Sequence, residues 1–334
     1  MSRRHLLFAA SLLVSGVFLW LALRDVPLDA VVDSIRGADL GWVAISLVCV
    51  VGAQFTRAMR WRGLLGGRMS PMRSFHILNI TMLLNQLPLR AGEVARSLLA
   101  TRSGVPLVTA ATSIVIERLI DMLLVVIVLA IAVSRLPSAP PSAGPAAAAF
   151  GVASIGGFIA LILLARHPER AHQLLGGLEQ RAALLARLGL RQRLEEVLDG
   201  LRPLTDFKQL APAIGWTLAG WFFSLATLYA LERALAIEGV DLVLGATLGV
   251  MLVVFSIAIP VSVAAIGPFE SAVRVAGDAV GMSTIASTSL GFIFHGATVL
   301  SYAFWGVIGM LVLGVSLGEV MQSSEQPPEP AADL

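Results

Sequence analysis

Seven long apolar runs, nearly free of charged residues, limit what this chain can fold into. They lie at 6–23, 41–56, 106–133, 146–165, 213–231, 242–259 and 285–317. A helix needs about 20 apolar residues to cross roughly 30 Å of hydrocarbon, and most of these runs approach or exceed that length. Because the alternating pattern of a β-barrel is absent, helices must satisfy the backbone hydrogen bonds within a bilayer. The sequence therefore predicts an all-α, polytopic membrane helix bundle.

The composition agrees with a membrane protein and argues against a soluble catalytic domain. Hydrophobic residues make up 57% of the 334 positions and charged residues 14%, whereas soluble domains carry about 25% charged residues. The single cysteine, Cys49, excludes an internal disulfide. Neither a phosphate-binding P-loop pattern nor an H-E-x-x-H metal pattern occurs in the sequence. We therefore expect no enzyme activity, no cofactor and no bound metal.

The basic residues predict the orientation of the chain. Arg3 and Arg4 precede the first run, and a further basic cluster follows position 165. Five arginines follow the second run: Arg57, Arg60, Arg62, Arg68 and Arg73. Basic connections remain in the cytoplasm, so we expect both termini inside a bacterial cytoplasmic (inner) membrane, with 24–40, 134–145 and 232–241 outside. Arginines spread over membrane flanks do not favour nucleic-acid binding.

Two segments predict re-entrant hairpins rather than full crossings. The apolar stretch 74–88 would form a helix of only about 22 Å, and the more polar stretch 92–102 follows it after a break at Pro88. The second candidate is 242–259, which precedes breaks at Pro260 and Pro268. Whether 242–259 spans fully or re-enters stays open. The prediction is a bundle of about six full crossings and two re-entrant hairpins.

A weak internal repeat relates the two hairpins. Glu93 and Gly104 have counterparts 177 positions further on, at Glu270 and Gly281, and Arg118 is matched in the same way by His295. Three crossings separate the two units, and an odd number inverts the second relative to the first. Inverted repeats built on broken helices are typical of transporters.

The predicted domain organisation is one flippase-like transmembrane domain over 1–321, followed by a disordered tail at 322–334. Its halves, 1–165 and 213–321, are joined by a connector at 166–212. Leucines recur in this connector at helical spacing among charged residues. This pattern predicts amphipathic helices on the cytoplasmic leaflet, and a plain connector is the alternative.

Three ionisable residues, Glu117, Arg118 and Asp121, lie within an otherwise uncharged run. Each costs about 2.5–3.5 kcal/mol on insertion scales, so partners or a wet cavity are required. Arg118 and Asp121 are three apart and are expected to pair on one face. Glu117 and Asp121 would repel each other unless a cation lies between them, and the hairpin offers Arg90, Arg96 and Arg102 as partners. A buried ion network and a direct functional role both fit.

The turn of the first hairpin is the second candidate. A helix that starts near Gly92 would present free amide groups, and Arg90 and Arg96 beside it would favour a phosphate. A cytoplasmic loop whose arginines only set topology is the alternative. Asn79, Asn85 and Gln86 add polar groups that suit a cavity lining. In the second unit, Glu270 and His295 could pair or titrate.

The stretch 85–96, NQLPLRAGEVAR, and the stretch 113–121, SIVIERLID, resemble the lysylphosphatidylglycerol synthase transmembrane, or flippase-like, family. The stretch 260–270, PVSVAAIGPFE, is similar to a later element of that family. The resemblance covers about 10–317. Leu89 stands where the family favours glycine, and His295 stands where an arginine is common.

The resemblance implies a role with membrane lipids. The family's bacterial resistance factors join this bundle to a soluble aminoacyl-transfer domain and are linked to flipping of the aminoacylated lipid. Since this chain ends at 334, we do not expect synthase activity. The leading hypothesis is a translocator for a lipid with an anionic headgroup, namely a phospholipid, a modified lipid or a polyprenol-linked lipid.

In that hypothesis Arg90, Arg96 and Arg118 engage phosphate, and the neighbouring carboxylates position them or exchange a proton. The candidate substrate-binding residues are Asn85, Arg90, Gly92, Glu93, Arg96, Glu117, Arg118, Asp121, Gly267, Glu270 and His295. The alternative is a non-catalytic membrane subunit or scaffold that holds a lipid- or glycan-modifying enzyme. A homo-oligomer is left open.

Overall fold

The structure, a computed structural model, is all-helical and contains no strand over the residues it describes. These are 15–20, 23, 26–87, 92–136, 138–139, 141–181, 205–258 and 263–316. Residues 15–20 are helical. The helices that follow are α1 (Leu28–Arg36), α2 (Leu40–Leu64), α3 (Pro71–Leu84), α4 (Gly92–Thr101), α5 (Leu107–Ser134), α6 (Ala143–Arg166), α7 (Pro168–Arg181), α8 (Phe207–Ala234), α9 (Leu242–Ala258), α10 (Pro268–Val280) and α11 (Thr284–Leu313).

Four of the described helices are long and apolar enough to cross a membrane. They are Leu40–Leu64, Gly144–Arg166, Leu210–Ala234 and Thr284–Leu313, and they belong to α2, α6, α8 and α11. Helix α5 has 28 residues, but Glu117, Arg118 and Asp121 interrupt its apolar sequence. Helix α9 is apolar and shorter. The predicted apolar runs within the described residues thus become helices.

Small residues bring the long helices close together. Helix α2 packs along α8, and a side chain added at Gly52 would lie 2.7 Å from the ring of Phe223. Helix α3 packs along α11, where a side chain added at Gly309 would lie 2.9 Å from the carbonyl oxygen of His76. Close backbone approach at small residues is how helices associate in membranes.

Helices α3 and α4 form the first helical hairpin. Helix α4 begins against the end of α3, because the Gly92 N–H donates to Oδ1 of Asn85 at 3.1 Å. A side chain added at Gly92 would lie 2.5 Å from that same oxygen. The contact between α3 and α4 therefore requires glycine at position 92.

Helices α9 and α10 form the second hairpin. Gly267 precedes α10 with φ 91°, a left-handed conformation that favours glycine, and Pro268 occupies the first helical turn. A side chain added at Gly267 would lie 2.6 Å from the carbonyl oxygen of Ser15. The start of α10 therefore packs against the helical segment 15–20. Pro260 lies outside the described residues.

Two sequence predictions about connecting segments are wrong. Helix α2 continues to Leu64, so Arg57, Arg60 and Arg62 lie inside it and do not follow it. The helix can continue because partners on other helices receive these charges, as when Arg57 donates to Ser224 at 3.0 Å. Helix α1 occupies a segment that was predicted to be a loop.

The apolar residues of α1, including the buried Val31, recur at helical spacing. This helical pattern decides the structure of the segment.

Helix α7 lies in the predicted connector at 166–212 and supplies helix to its first part. The remainder of the connector at 182–204 and the predicted tail at 322–334 lie outside the described residues. The division of the chain into halves and a connector remains a prediction.

Candidate functional site

Arg60 of α2 lies at the centre of a network of charges between helices. Its two terminal nitrogens donate to the Asp121 carboxylate at 2.6 and 2.9 Å, and its Nε donates to Glu117 at 3.2 Å. The guanidinium also donates to the hydroxyl of Thr217 on α8 at 3.2 Å. One guanidinium therefore joins α2, α5 and α8.

Arg96 of α4 completes this network from the other side. It donates to the second carboxylate oxygen of Glu117, and its guanidinium carbon lies 4.4 Å from the centre of the Trp61 ring. The indole of Trp61 is fully buried and donates to the Ser113 hydroxyl at 3.0 Å. Arg96 is thus fixed by a carboxylate and an aromatic face.

The buried network comprises Arg60, Arg96, Glu117 and Asp121, two cations and two anions. Their side chains are 6%, 6%, 6% and 21% exposed, respectively. Buried charges can be accommodated when they are paired, whereas a single buried charge without a partner is strongly destabilising. The network therefore fixes the relative positions of α2, α4 and α5.

The expected pairing of Arg118 with Asp121 is wrong. Asp121 pairs with Arg60, whose guanidinium is the cation that separates Asp121 from Glu117. Arg118 pairs instead with Glu93 of α4. The reason is geometric, since Glu117 and Asp121 face α2 while Arg118 points away from them toward the start of α4.

The Glu93–Arg118 pair is the accessible part of this region. The side chains of Arg118 and Glu93 are 59% and 41% exposed, in contrast to the buried network beside them. Apolar side chains flank the pair at the surface: Val94 on α4 is 49% exposed and Val115 on α5 is 56% exposed. An ion pair is thus placed within an apolar exposed surface.

Glu270 and His295 form a second pair, between α10 and α11. The Nδ1 of His295 lies 2.6 Å from one carboxylate oxygen of Glu270, and the other oxygen accepts the Gly267 N–H at 2.7 Å. The Phe269 ring stacks on the imidazole with centroids 4.3 Å apart. Both side chains are buried. The prediction that Glu270 and His295 could pair is confirmed.

The structure gives the two units of the predicted repeat the same kind of contact. Glu93 with Arg118, and Glu270 with His295, each join a residue at the start of a hairpin's second helix to one 25 positions further on. One pair is exposed and the other buried.

The other predicted residues fall into two groups. In the first hairpin turn, the Gly92 N–H donates to the Asn85 side chain. Before α10, the Gly267 N–H donates to the Glu270 carboxylate. Arg90 lies outside the described residues, as does Leu89. Among the described residues no group of His, Cys, Asp and Glu has the arrangement of a metal site.

Sequence reasoning missed Arg60, Trp61 and Thr217 as members of the network. One signal pointed to Arg60: two carboxylates four apart on a buried helix require a cation between them. The arginines of the hairpin lie closer to these carboxylates in the sequence, but Arg60 of α2 is the cation that bonds to both.

Long apolar helices, four of them able to cross a bilayer, with arginine–carboxylate pairs between them, define a multi-pass membrane protein. The family model for the lysylphosphatidylglycerol synthase TM region matches residues 8–306. The chain belongs to this family, and the resemblance carried by 85–96 and 113–121 is confirmed. No curated protein matches the chain in a sequence search. The family connects the chain to membrane lipids.

Proposed function

We propose that the protein translocates a lipid with an anionic headgroup between the leaflets of a bacterial cytoplasmic membrane, and that it is not an enzyme. The lipid is a phospholipid, a modified lipid or a polyprenol-linked lipid. Family membership supports the connection to lipids. The observation that carries the proposal is the exposed Glu93–Arg118 pair within an apolar surface.

The position of Arg118 suits a headgroup held within the membrane. It lies 11 residues into α5, which places it about 17 Å along the helix from Leu107. The exposed Val94 and Val115 offer contacts for acyl chains. A phosphate would compete with the Glu93 carboxylate for the guanidinium, which binds either group through two parallel hydrogen bonds.

The buried network supports this role by positioning. Arg96 is committed to Glu117 and Trp61, so we assign it to the network and not to direct phosphate binding. Glu117 and Asp121 likewise hold α5 in place through Arg60. Arg90, which the sequence analysis predicted to engage phosphate, remains the proposed second ligand for the phosphate.

The proposed topology places both termini in the cytoplasm and makes both hairpins re-entrant. Helices α3 and α4, with 14 and 10 residues, reach about 21 and 15 Å, and each is too short to cross alone. The matched pairs, each spanning 25 residues, support an inverted repeat. In such transporters the hairpin turns meet near the middle of the bilayer.

Exchange of labelled lipid between leaflets of reconstituted vesicles tests the proposal. We expect Arg118→Ala to abolish exchange and Arg118→Lys to weaken it, because an ammonium supplies charge without the two parallel hydrogen bonds. Arg102→Ala is the matched control, since Arg102 is exposed in the next connection. Each variant must elute as a single species in detergent.

Two results would contradict the proposal. One is normal exchange by a well-folded Arg118→Ala variant. The other is the absence of exchange in the folded wild-type protein with all three classes of anionic lipid, which would favour a scaffold for a lipid-modifying enzyme.

A further inference from the structure

Glu232 is a buried acid that takes no part in either pair or in the network. It lies near the end of α8, is 0% exposed, and neither carboxylate oxygen has a hydrogen-bond partner among the described residues. By contrast, the buried Glu117 and Glu270 both have partners. An ionised carboxylate without a partner is strongly disfavoured in such surroundings. Glu232 is therefore expected to carry a proton.

The surroundings of Glu232 form a space that fits this carboxyl group. A side chain added at Gly245 of α9 would lie 2.8 Å from Oε1 of Glu232 and 2.8 Å from the methyl carbon of Met282. Glycine at position 245 thus leaves room for the carboxyl between α8, α9 and the turn before α11. In this arrangement the carboxyl is closed off from water, since Glu232 is 0% exposed.

The charge of Asp241, close to Glu232, is negative and does not compensate an ionised Glu232. Asp241 is the described group whose charge acts on Glu232, and its carboxylate begins α9 by accepting the Leu244 N–H at 3.0 Å. A second carboxylate cannot serve as the compensating partner that an ionised, buried Glu232 would need.

Charged groups on the other packed elements are engaged elsewhere. On α10, Arg274 lies 3.8 Å from Asp278. The guanidinium of Arg233 lies 5.6 Å from the Trp42 ring on α2, and Asp39 accepts the Trp42 N–H at 3.0 Å. None of these groups forms a hydrogen bond or ion pair with Glu232 in the described part of the chain.

We propose that Glu232 is a proton-binding site that couples proton movement to the packing of the second hairpin. The carboxyl holds its proton while α9 lies against α8, and it releases the proton to water when the two helices separate. In the proposed topology this end of α8 faces the outside, so the site would meet protons from that side. The coupling to lipid movement rests on the proposed function; the proton site does not.

Infrared difference spectroscopy of the full-length protein in lipid tests the proton site directly. At neutral pH we expect a carbonyl band of a protonated carboxyl that is lost in Glu232→Gln. Glu238→Gln is the matched control, because Glu238 is exposed six residues further on, and it should leave the band unchanged. A wild-type spectrum at neutral pH that lacks this band would overturn the inference.

A second variant separates a proton site from a structural anion. Glu232→Met keeps the length of the side chain and removes its charge. If Glu232 is neutral and without hydrogen bonds, this variant should melt at the wild-type temperature or above. A large loss of thermal stability would show that a charged, partnered carboxylate was removed, and would contradict the proposal.

Leaflet exchange under an imposed pH gradient tests the coupling. The wild-type rate is expected to respond to the gradient, and Glu232→Gln is expected to lose that response. If the wild-type protein shows the carboxyl band but exchanges no lipid, the proton site is supported and the proposed function is refuted. If the protein shows the band and exchanges lipid at a rate that does not change with the pH gradient, only the coupling is refuted.

Discussion

The ion pairs of this chain contribute differently to the stability of the fold because they differ in burial. Arg60 bonds two carboxylates on α5 and is 6% exposed, whereas Arg36 and Asp33 are 77% and 75% exposed. Removing one partner of a buried pair leaves a charge without compensation. An exposed pair contributes little, because water solvates both groups when the pair is broken. The same residue type therefore stabilises the fold at one position and hardly at all at another.

Arg60→Ala should lower the free energy of unfolding by about 3–5 kcal/mol, because Glu117 and Asp121 lose their common cation. Arg36→Ala, the matched control, should change it by about 0–1 kcal/mol. Thermal unfolding in detergent would measure both. Equal melting temperatures for the two variants would show that the network does not support the fold.

Glu93→Gln should strengthen binding of a phosphate headgroup. The amide is neutral and competes less well than a carboxylate for Arg118, so the phosphate displaces a weaker partner. Binding of a short-chain anionic lipid to the purified protein, measured by calorimetry, would show the gain. The gain must disappear in the Glu93→Gln, Arg118→Ala double variant. Weaker binding by Glu93→Gln would mean that the carboxylate assists the headgroup.

At this scale the sequence indicates which residues need partners but not which partners they find. The positions of Glu117 and Asp121 in an apolar run predicted a cation. The choice of Arg60 depends on how α2 packs against α5, which no local pattern encodes. Glu232 escaped notice because one acid near the end of a run resembles an ordinary helix terminus.

The helical hairpins depend on places where two backbones approach each other. In the first hairpin that place is Gly92, whose N–H donates to Asn85 while its α-carbon lies against α3. An added methyl group would force α4 away from α3. The Glu93–Arg118 pair begins one residue later, so this movement would also disturb the proposed site.

Gly92→Ala is expected to lower stability by about 1–3 kcal/mol through overpacking and to reduce lipid exchange. Gly296→Ala is the control, since Gly296 lies in α11 with nothing within 4 Å of an added side chain. That change should be neutral or stabilise by about 0.5–1 kcal/mol. Melting temperatures of the two variants test the contrast. An unchanged melting temperature for Gly92→Ala would show that α4 can shift freely.

Apolar runs located the helices well because length and hydrophobicity are local properties. They failed at the end of α2, where an arginine appeared to end the apolar run although its charge is matched on α5 and α8. They also failed at α1, a helix too short to appear as a long apolar run. The close contact of Gly306 and Gly309 with α3 was missed as well. Small residues at a helix surface let two backbones approach closely in a membrane.

For the whole molecule, the repeat is the feature that relates sequence, fold and proposed function. The match of Glu93 with Glu270 and of Arg118 with His295 rested on position alone. In the structure Glu93 contacts Arg118, and Glu270 contacts His295. Chance similarity of residue types would not explain why both contacts are made at the start of a hairpin's second helix. Each unit of the predicted repeat thus places a carboxylate at the start of a hairpin's second helix against a basic side chain 25 positions further on.

The proposed topology, with two re-entrant hairpins of opposite orientation, predicts a specific pattern of accessibility. In a Cys49→Ser background, single cysteines replace the exposed residues Arg68 and Arg102, which flank α3–α4, and Glu238 and Ala279, which flank α9–α10. If both hairpins re-enter, a membrane-impermeant maleimide should label 238 and 279 in intact cells, and 68 and 102 only after permeabilisation. If only one helix of a hairpin crossed the membrane, its two flanking cysteines would lie on opposite sides. That result at either hairpin would contradict the inverted repeat, because the two units would no longer be equivalent.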